Sequence, residues 1–170
     1  MRESDKKAGQ HSTKMSDETI IGFIIEIDRV LKNSCYLMLW IDKFHLCEGI
    51  KQWLKGTELQ IVDLITWDKG KMVWVIAQEN KVSICLCLQK SPIKAKGTWK
   101  LHNIRDIWSE KIPSEELKLH PHSKPKGLQK ALIESCTNEG DLVLDPASGS
   151  FSVLECCKDL KRDFIGTNLE

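Results

Sequence analysis

Two short stretches hold the side chains best suited to chemistry. The first, DPASGS, puts a carboxylate (Asp145) beside Pro146 and follows it with small residues, Ala147, Ser148, Gly149 and Ser150. A carboxylate at a strand tip can meet a cation or a hydroxyl. Small residues let a ligand approach the backbone, and Gly149 can adopt conformations closed to other residues. The turn is too short for a phosphate-cradling P-loop and no Lys-Ser/Thr pair follows it; it is not GxGxxG either, because Phe151 stands at the second glycine. The second stretch, HPHSKP (120–125), lies in a basic run of Lys118, His120, His122, Lys124, Lys126 and Lys130 with no acidic residue between them. Alone, the first stretch also fits an ordinary tight turn, and the second fits a solvated basic start to a helix.

The elements that must position them follow from hydrophobic period. Leu142 to Leu144 form a short apolar run that ends in Asp145, so the carboxylate falls at the end of a strand (141–145) with a helix (151–161) after it and a further strand (163–167) beyond. In an open parallel sheet, ligands bind at this carboxyl end, where the next helix presents its N-terminus. Pro125 suits the first helical position, Lys126 to Cys136 the helix, and Ser123 its cap. Upstream, Ile20, Ile21, Ile24, Ile27, Val30 and Leu31 recur at helical spacing over 17–31, with Ser16 as N-cap; 35–41, 59–67 and 81–89 read as strands, and 45–55 as a helix. Residues 90–118 read as loop with a short strand near Ile107, and residues 1–15 as a disordered leader. Strands alternating with helices predict an α/β fold with a mostly parallel sheet and helices on both faces. Trp40, Trp53 and Trp67 fall at core positions, whereas Trp74, Trp99 and Trp108 lie in less regular segments, and His45 begins a helix.

Composition narrows the class without naming it. The 170 residues suffice for one domain with a real core, and 41% hydrophobic with 29% charged residues is ordinary for a globular protein. A net charge of +1 gives no global reason to bind nucleic acid, so any basic surface is local. No apolar run approaches a membrane span, and the polar start MRESDKKAGQHSTK lacks the apolar centre of a signal peptide, so a cytoplasmic protein with reduced thiols is expected. None of the seven cysteines makes a CxxC pair, so no metal site is expected.

Taken together, "HPHSKPKGLQKALIESCTNEGDLVLDPASGSFSVLECCKDLKRDFIG" resembles the amino-methyltransferases of DNA. In their permuted branch HPxxKP and a helix precede DPFxGSGTT, followed by a helix and a strand ending in FIG. The matching positions are His120, Pro121, Lys124 and Pro125; Asp145, Pro146, Gly149 and Ser150; and Phe164, Ile165 and Gly166. The stretches CYLMLWIDKFHLCEGIKQWL and VDLITWDKGKM…KVSICLCLQK also look like the family's middle region, so the likeness runs over residues 17–170. The resemblance implies a class I S-adenosylmethionine-dependent methyltransferase fold, Rossmann-like, in one domain over 16–170 with its cofactor-binding portion at 118–170. It implies S-adenosylmethionine as cofactor and double-stranded DNA as partner, with adenine N6 or cytosine N4 of a flipped base as the methyl acceptor. By the same resemblance Asp145, Pro146, Ala147, Gly149, Ser150, His120, Lys124 and Pro125 line the cofactor site, and Asn168 or Glu170 holds the ribose.

The departures are as specific as the matches. The family works through a (D/N/S)PP(Y/F/W) tetrapeptide that grips the exocyclic amine and stacks on the flipped base. The prolines here, at 92, 113, 121, 125 and 146, are never adjacent, so no catalytic residue is assigned. The expectation is a fold incomplete at its N-terminal side, a truncated or inactive copy. The alternatives are a non-catalytic S-adenosylmethionine- or DNA-binding remnant, or half of a split enzyme whose partner chain carries the tetrapeptide. Ala147 replaces the usual Phe and Phe151 the second Gly, and Asn168 occupies the acidic ribose position with Glu170 two residues on. VWVIAQENKVS stands where an Arg-rich turn is usual, which weakens DNA binding.

Overall fold

The computed structural model describes residues 16–70, 82–94, 96–113 and 123–167. The predicted leader (1–15) and Trp74 lie outside the described residues. Helix α1 (Asp17–Val30) begins where predicted: the Ser16 hydroxyl accepts from the Thr19 N–H at 3.3 Å, with Asp17 and Glu18 in the first turn and Arg29 in the last. Strand β1 (Tyr36–Ile41) follows. The single helix expected over 45–55 is instead α2 (Lys43–Glu48) and a 3-10 turn (Lys51–Leu54). Gly49, at φ +92°, breaks the helix between them, and Asp42 caps α2 by accepting from the Phe44 and His45 N–H groups. Then come β2 (Leu59–Asp68), β3 (Val82–Lys90), β4 (Ile107–Ser109), α3 (Lys126–Cys136), β5 (Leu142–Asp145), α4 (Ser152–Leu160) and β6 (Asp163–Gly166).

The strands form a four-stranded sheet, β1-β3-β2-β4, and a separate parallel pair, β5-β6. β3 runs antiparallel to both β1 and β2, so the main sheet is mixed rather than mostly parallel. Where a helix links successive strands, as α2 does for β1 and β2 and α4 for β5 and β6, the two run in the same direction, as the sequence predicts. β3 follows β2 with no described helix between them, and there the direction reverses. Among the described residues, β1 and β5 each pair with a strand on one side only.

Helices cover both faces of the main sheet. Ile84, Leu86 and Leu88 of β3 pack with Ile24 of α1 and Trp53, while Cys85 and Cys87 turn to the opposite face against Leu128 and Leu132 of α3. The alternation of β3 therefore serves two cores at once, which is why it reads as continuous apolar sequence. Lys90, with a side chain only 11% exposed, ties β3 to α1 by donating to the Asp28 carbonyl. A third core joins Ile133 of α3 and Cys156 and Cys157 of α4 to Val143 and Phe164. The opposite face of the β5-β6 pair exposes Leu142, Leu144 and Ile165.

Candidate functional site

Asp145 ends β5, beside Gly166 at the end of the parallel strand β6, as its place in the sequence predicts. One of its carboxylate oxygens accepts from the Ala147 N–H at 3.2 Å. Burial raises the carboxyl above its ordinary value, and the Ala147 N–H partly opposes that shift. The chain then folds tightly. The Ser148 hydroxyl donates to the Asp145 carbonyl at 2.7 Å, and the Ser148 N–H donates to the Thr167 carbonyl at 3.0 Å. Gly149 takes φ +46°, and a Cβ there would meet nothing nearer than the Ala147 carbonyl at 4.0 Å, so the backbone over Gly149 is open to a ligand. Phe151 also lies in the left-handed region, at φ 55° and ψ 26°, and serves as the N-cap residue of α4 without a side-chain cap. The first-turn N–H groups of α4, left without a side-chain cap, can receive an anionic group.

Three residues at this turn, Ser148, Phe151 and Gly166 of the neighbouring strand, have a part in its shape that the sequence does not assign. Ser148 is 6% exposed and lies over Gly166, where an added Cβ would come within contact distance of both the Ser148 hydroxyl and the Phe164 ring. The glycine of FIG is thus required by close approach, and a lone Gly ending a strand was the available signal. At Phe151 the signal was the family's glycine at a position that the structure holds left-handed.

The second stretch is described from Ser123 onward; His120, Pro121 and His122 lie outside the described residues, as do Asn168 and Glu170. Lys124 lies over the indole of Trp40, its ammonium 5.7 Å from the ring centroid, and burial chiefly, with the nearby Lys69, lowers its pKa. Pro125 is buried and stands one position earlier than predicted, as the N-cap residue of α3. Ser123 does not cap that helix: its hydroxyl is buried and makes no hydrogen bond. Glu110 does so instead, accepting from the Gly127 N–H at 2.8 Å and the Leu128 N–H at 3.0 Å.

The two stretches are joined through their helices. Lys126 of α3 pairs with Glu155 of α4 at 2.7 Å, Lys130 with Asp159 at 3.0 Å, and the Arg162 guanidinium reaches the Thr137 hydroxyl at 3.0 Å. A shallow groove of about 380 Å³ between Lys126, Lys130, Glu155 and Cys156 is bridged by these pairs. Trp53 and Trp67 are core residues, as expected; Trp99 and Trp108 are half-buried, their indoles donating to the Leu101 carbonyl and to the Glu110 carboxylate. His45 lies in α2 against Asp42 and Trp53. Among the described residues no group of His, Cys, Asp and Glu could hold a metal ion, and no helix is long and apolar enough to cross a membrane.

Comparison with known proteins converges on one kind of protein. The sequence matches the DNA methylase family over residues 1–170. It is 52% identical over 157 residues to the Type II methyltransferase M.HhaII of Haemophilus parahaemolyticus, which covers 92% of this chain and 68% of that one. It is 36% identical over 101 residues to the DNA adenine methyltransferase YhdJ of Escherichia coli, covering 59% of this chain and 34% of that protein. Among solved structures, the M1.HpyAVI–SAM complex superposes with a TM-score of 0.73 at 25% identity, covering 88% of this chain and 76% of that one. The cytosine-N4-specific PvuII DNA methyltransferase, at 14% identity, shares the fold with a TM-score of 0.73 over 98% of this chain and 71% of its own.

Proposed function

The chain belongs to the DNA methylase family, and on that premise we propose that it is the cofactor-binding part of an S-adenosylmethionine-dependent DNA amino-methyltransferase. The observation that carries the reading is the turn after β5: a carboxylate at the strand tip, an open backbone at Gly149, and a helix start with no side-chain cap. S-adenosylmethionine brings an ammonium, a carboxylate and a ribose, and supplies an electrophilic methyl group when bound. The donor set fits it. Asp145 takes the ammonium, the N–H groups of Gly149 and Ser150 and those of the first turn of α4 take the carboxylate, and Pro146 stiffens the turn. By the family resemblance Lys124 and His120 serve the same site, with the buried Pro125 setting the chain direction at the start of α3, and Asn168 or Glu170 serves the ribose hydroxyls. An amide at 168 lacks the charge-assisted strength of a carboxylate.

The acceptor is the exocyclic amine of adenine or cytosine, flipped out of double-stranded DNA. M.HhaII and YhdJ, both named as methyltransferases, support this class of reaction. Residues 16–170 act as one domain in the cytoplasm, with 118–170 as the cofactor portion. The 170 residues contain no adjacent prolines, so methyl transfer requires a tetrapeptide-bearing segment other than these residues. The open edges of β1 and β5 support a place for such a segment, from the same polypeptide or a partner chain. Lacking it, the 170-residue chain binds cofactor without transferring methyl groups.

Titration calorimetry with S-adenosylhomocysteine tests the site. Binding should be weaker than in relatives with the full DPFxGSG turn by about tenfold to a hundredfold, roughly 1.4 to 2.8 kcal/mol. Asp145→Ala should abolish it and Asn168→Asp should tighten it. If Asp145→Ala binds as well as wild type, the turn is not the cofactor site. Labelled methyl transfer to mixed-sequence DNA by the 170-residue chain alone, lost in Asp145→Ala, would refute the need for a further segment.

A further inference from the structure

Glu110 belongs to neither stretch that the sequence singled out, yet the structure joins three elements at this one residue. Its carboxylate accepts from the Gly127 N–H at 2.8 Å and the Leu128 N–H at 3.0 Å, so both oxygens are used to cap α3 from 17 residues upstream. The Trp108 indole of β4 donates to the same carboxylate at 2.7 Å, and the Trp67 indole of β2 donates to the Glu110 carbonyl at 2.8 Å. α3 has no side-chain cap of its own, since Pro125 occupies the N-cap position and the Ser123 hydroxyl is unbonded. The fit is close: a Cβ on Gly127 would stand 2.6 Å from a Glu110 carboxylate oxygen, so a side chain at 127 would push the carboxylate off the helix.

We propose that Glu110 is a positioning residue for the cofactor site, fixing the start of α3 to the main sheet so that Lys124 and Pro125 keep their place relative to the turn at 145–150. This rests on the reading of that turn and of Lys124 as cofactor-binding. The chain of contacts is continuous. Glu110 fixes residues 127 and 128, immediately after Lys124 and Pro125; α3 then fixes α4 through the Lys126–Glu155 and Lys130–Asp159 pairs, and α4 begins at the turn. A carboxylate cap suits this joint because it adds favourable charge at a helix N-terminus to two directed hydrogen bonds.

The test is titration calorimetry with S-adenosylhomocysteine, with melting curves alongside, on the full chain and its variants. Glu110→Ala should weaken binding by about fivefold, the equivalent of one lost helix cap. Glu110→Gln, which keeps the shape and one acceptor, should recover most of that. Gly127→Ala should weaken binding similarly with little change in melting temperature, because its gain in helix propensity offsets the displaced cap. In a Lys124→Ala background, Glu110→Ala should cost nothing further, as expected for a residue that acts through its neighbour. If Glu110→Ala and Gly127→Ala bind like wild type while Asp145→Ala has lost binding, the positioning role is overturned and the cofactor site stands. A Glu110→Ala loss that is equally large without Lys124 also overturns it. If Glu110→Ala does not fold, Gly127→Ala and Glu110→Gln decide by the same criteria. Wild-type protein that fails to bind, or an Asp145→Ala variant that binds normally, removes the site and this proposal together.

Discussion

Replacing Phe151 tests the backbone of the proposed site directly. Phe151 holds φ 55° and ψ 26° at the start of α4. A side chain in this left-handed region costs about 1 to 2 kcal/mol through the clash of Cβ with the following carbonyl. The ring is partly buried, and its burial returns about 1 kcal/mol, half of what a fully buried Phe gains. Phe151→Ala loses the ring and keeps the strain. Phe151→Gly loses the ring and the strain, but adds about 0.5 to 1 kcal/mol of backbone entropy in the unfolded chain. The glycine variant should therefore be more stable than the alanine variant by up to about 1.5 kcal/mol, and close to wild type. For a chain of 170 residues that separation is up to about 6 °C in melting temperature, since each kcal/mol moves it by about 2 to 4 °C. Differential scanning calorimetry of the three proteins in one buffer measures it. An alanine variant that melts above the glycine variant would refute the left-handed turn and the explanation of the family's second glycine that depends on it.

Other outcomes follow from the same geometry. Gly166→Ala should destabilise the protein by about 1 to 3 kcal/mol through overpacking against Ser148 and Phe164, and a Ser148→Ala background should recover part of this in urea unfolding. Burial raises the Asp145 carboxyl above its ordinary value, so the folded chain holds that proton more tightly than the unfolded chain. Its contribution to stability is therefore present at acid pH and lost as pH rises through the folded pKa. Asp145→Asn should melt higher than wild type at pH 7, and the gain should vanish near pH 3; equal melting at both pH values would contradict it. The buried thiols give an alkaline limb: burial pushes Cys136 up to about 12 and, helped by the neighbouring Cys156, Cys157 up to about 11, from an ordinary 9.0. The unfolded chain ionises first, so stability should fall as pH rises from about 9 towards 12, and Cys136→Ser should flatten part of that fall.

Much of this architecture is visible in the sequence because it rests on local rules. The Ser16 cap, the limits of α3 at Lys126 and Cys136, and the placing of Asp145 at a strand tip all depend on residues within a turn or two of one another. What the sequence conceals are properties of pairs distant along the chain. Ser123 has the right type and place to cap α3, but the contest is won by Glu110, whose carboxylate arrives from the end of β4 and is held there by an indole. The direction of β3 is likewise non-local. Its apolar run fits either orientation, and which one is taken depends on the path between β2 and β3 rather than on β3 itself.

The same distinction explains why the two chemical stretches, each ambiguous alone, gain meaning as a pair. Between Pro125 and Asp145 the chain has just enough residues for α3, a turn at Gly140 and β5, so a helix start and a strand tip recur at a spacing set by those elements. The pairing becomes a site only if α3 and α4 are locked together, and the sequence also supplies that lock. Lys126 and Lys130 are one helical turn apart on α3, and Glu155 and Asp159 are one turn apart on α4, so two ion pairs form in register along the helix contact. These pairs are exposed, each worth no more than about 1 kcal/mol, and the packing of Ile133 against Cys156 and Cys157 beneath them contributes more. The basic run at 118–130, which a composition argument would assign to nucleic acid, thus spends two of its lysines within the fold. Of its other cations, Lys124 is engaged with Trp40.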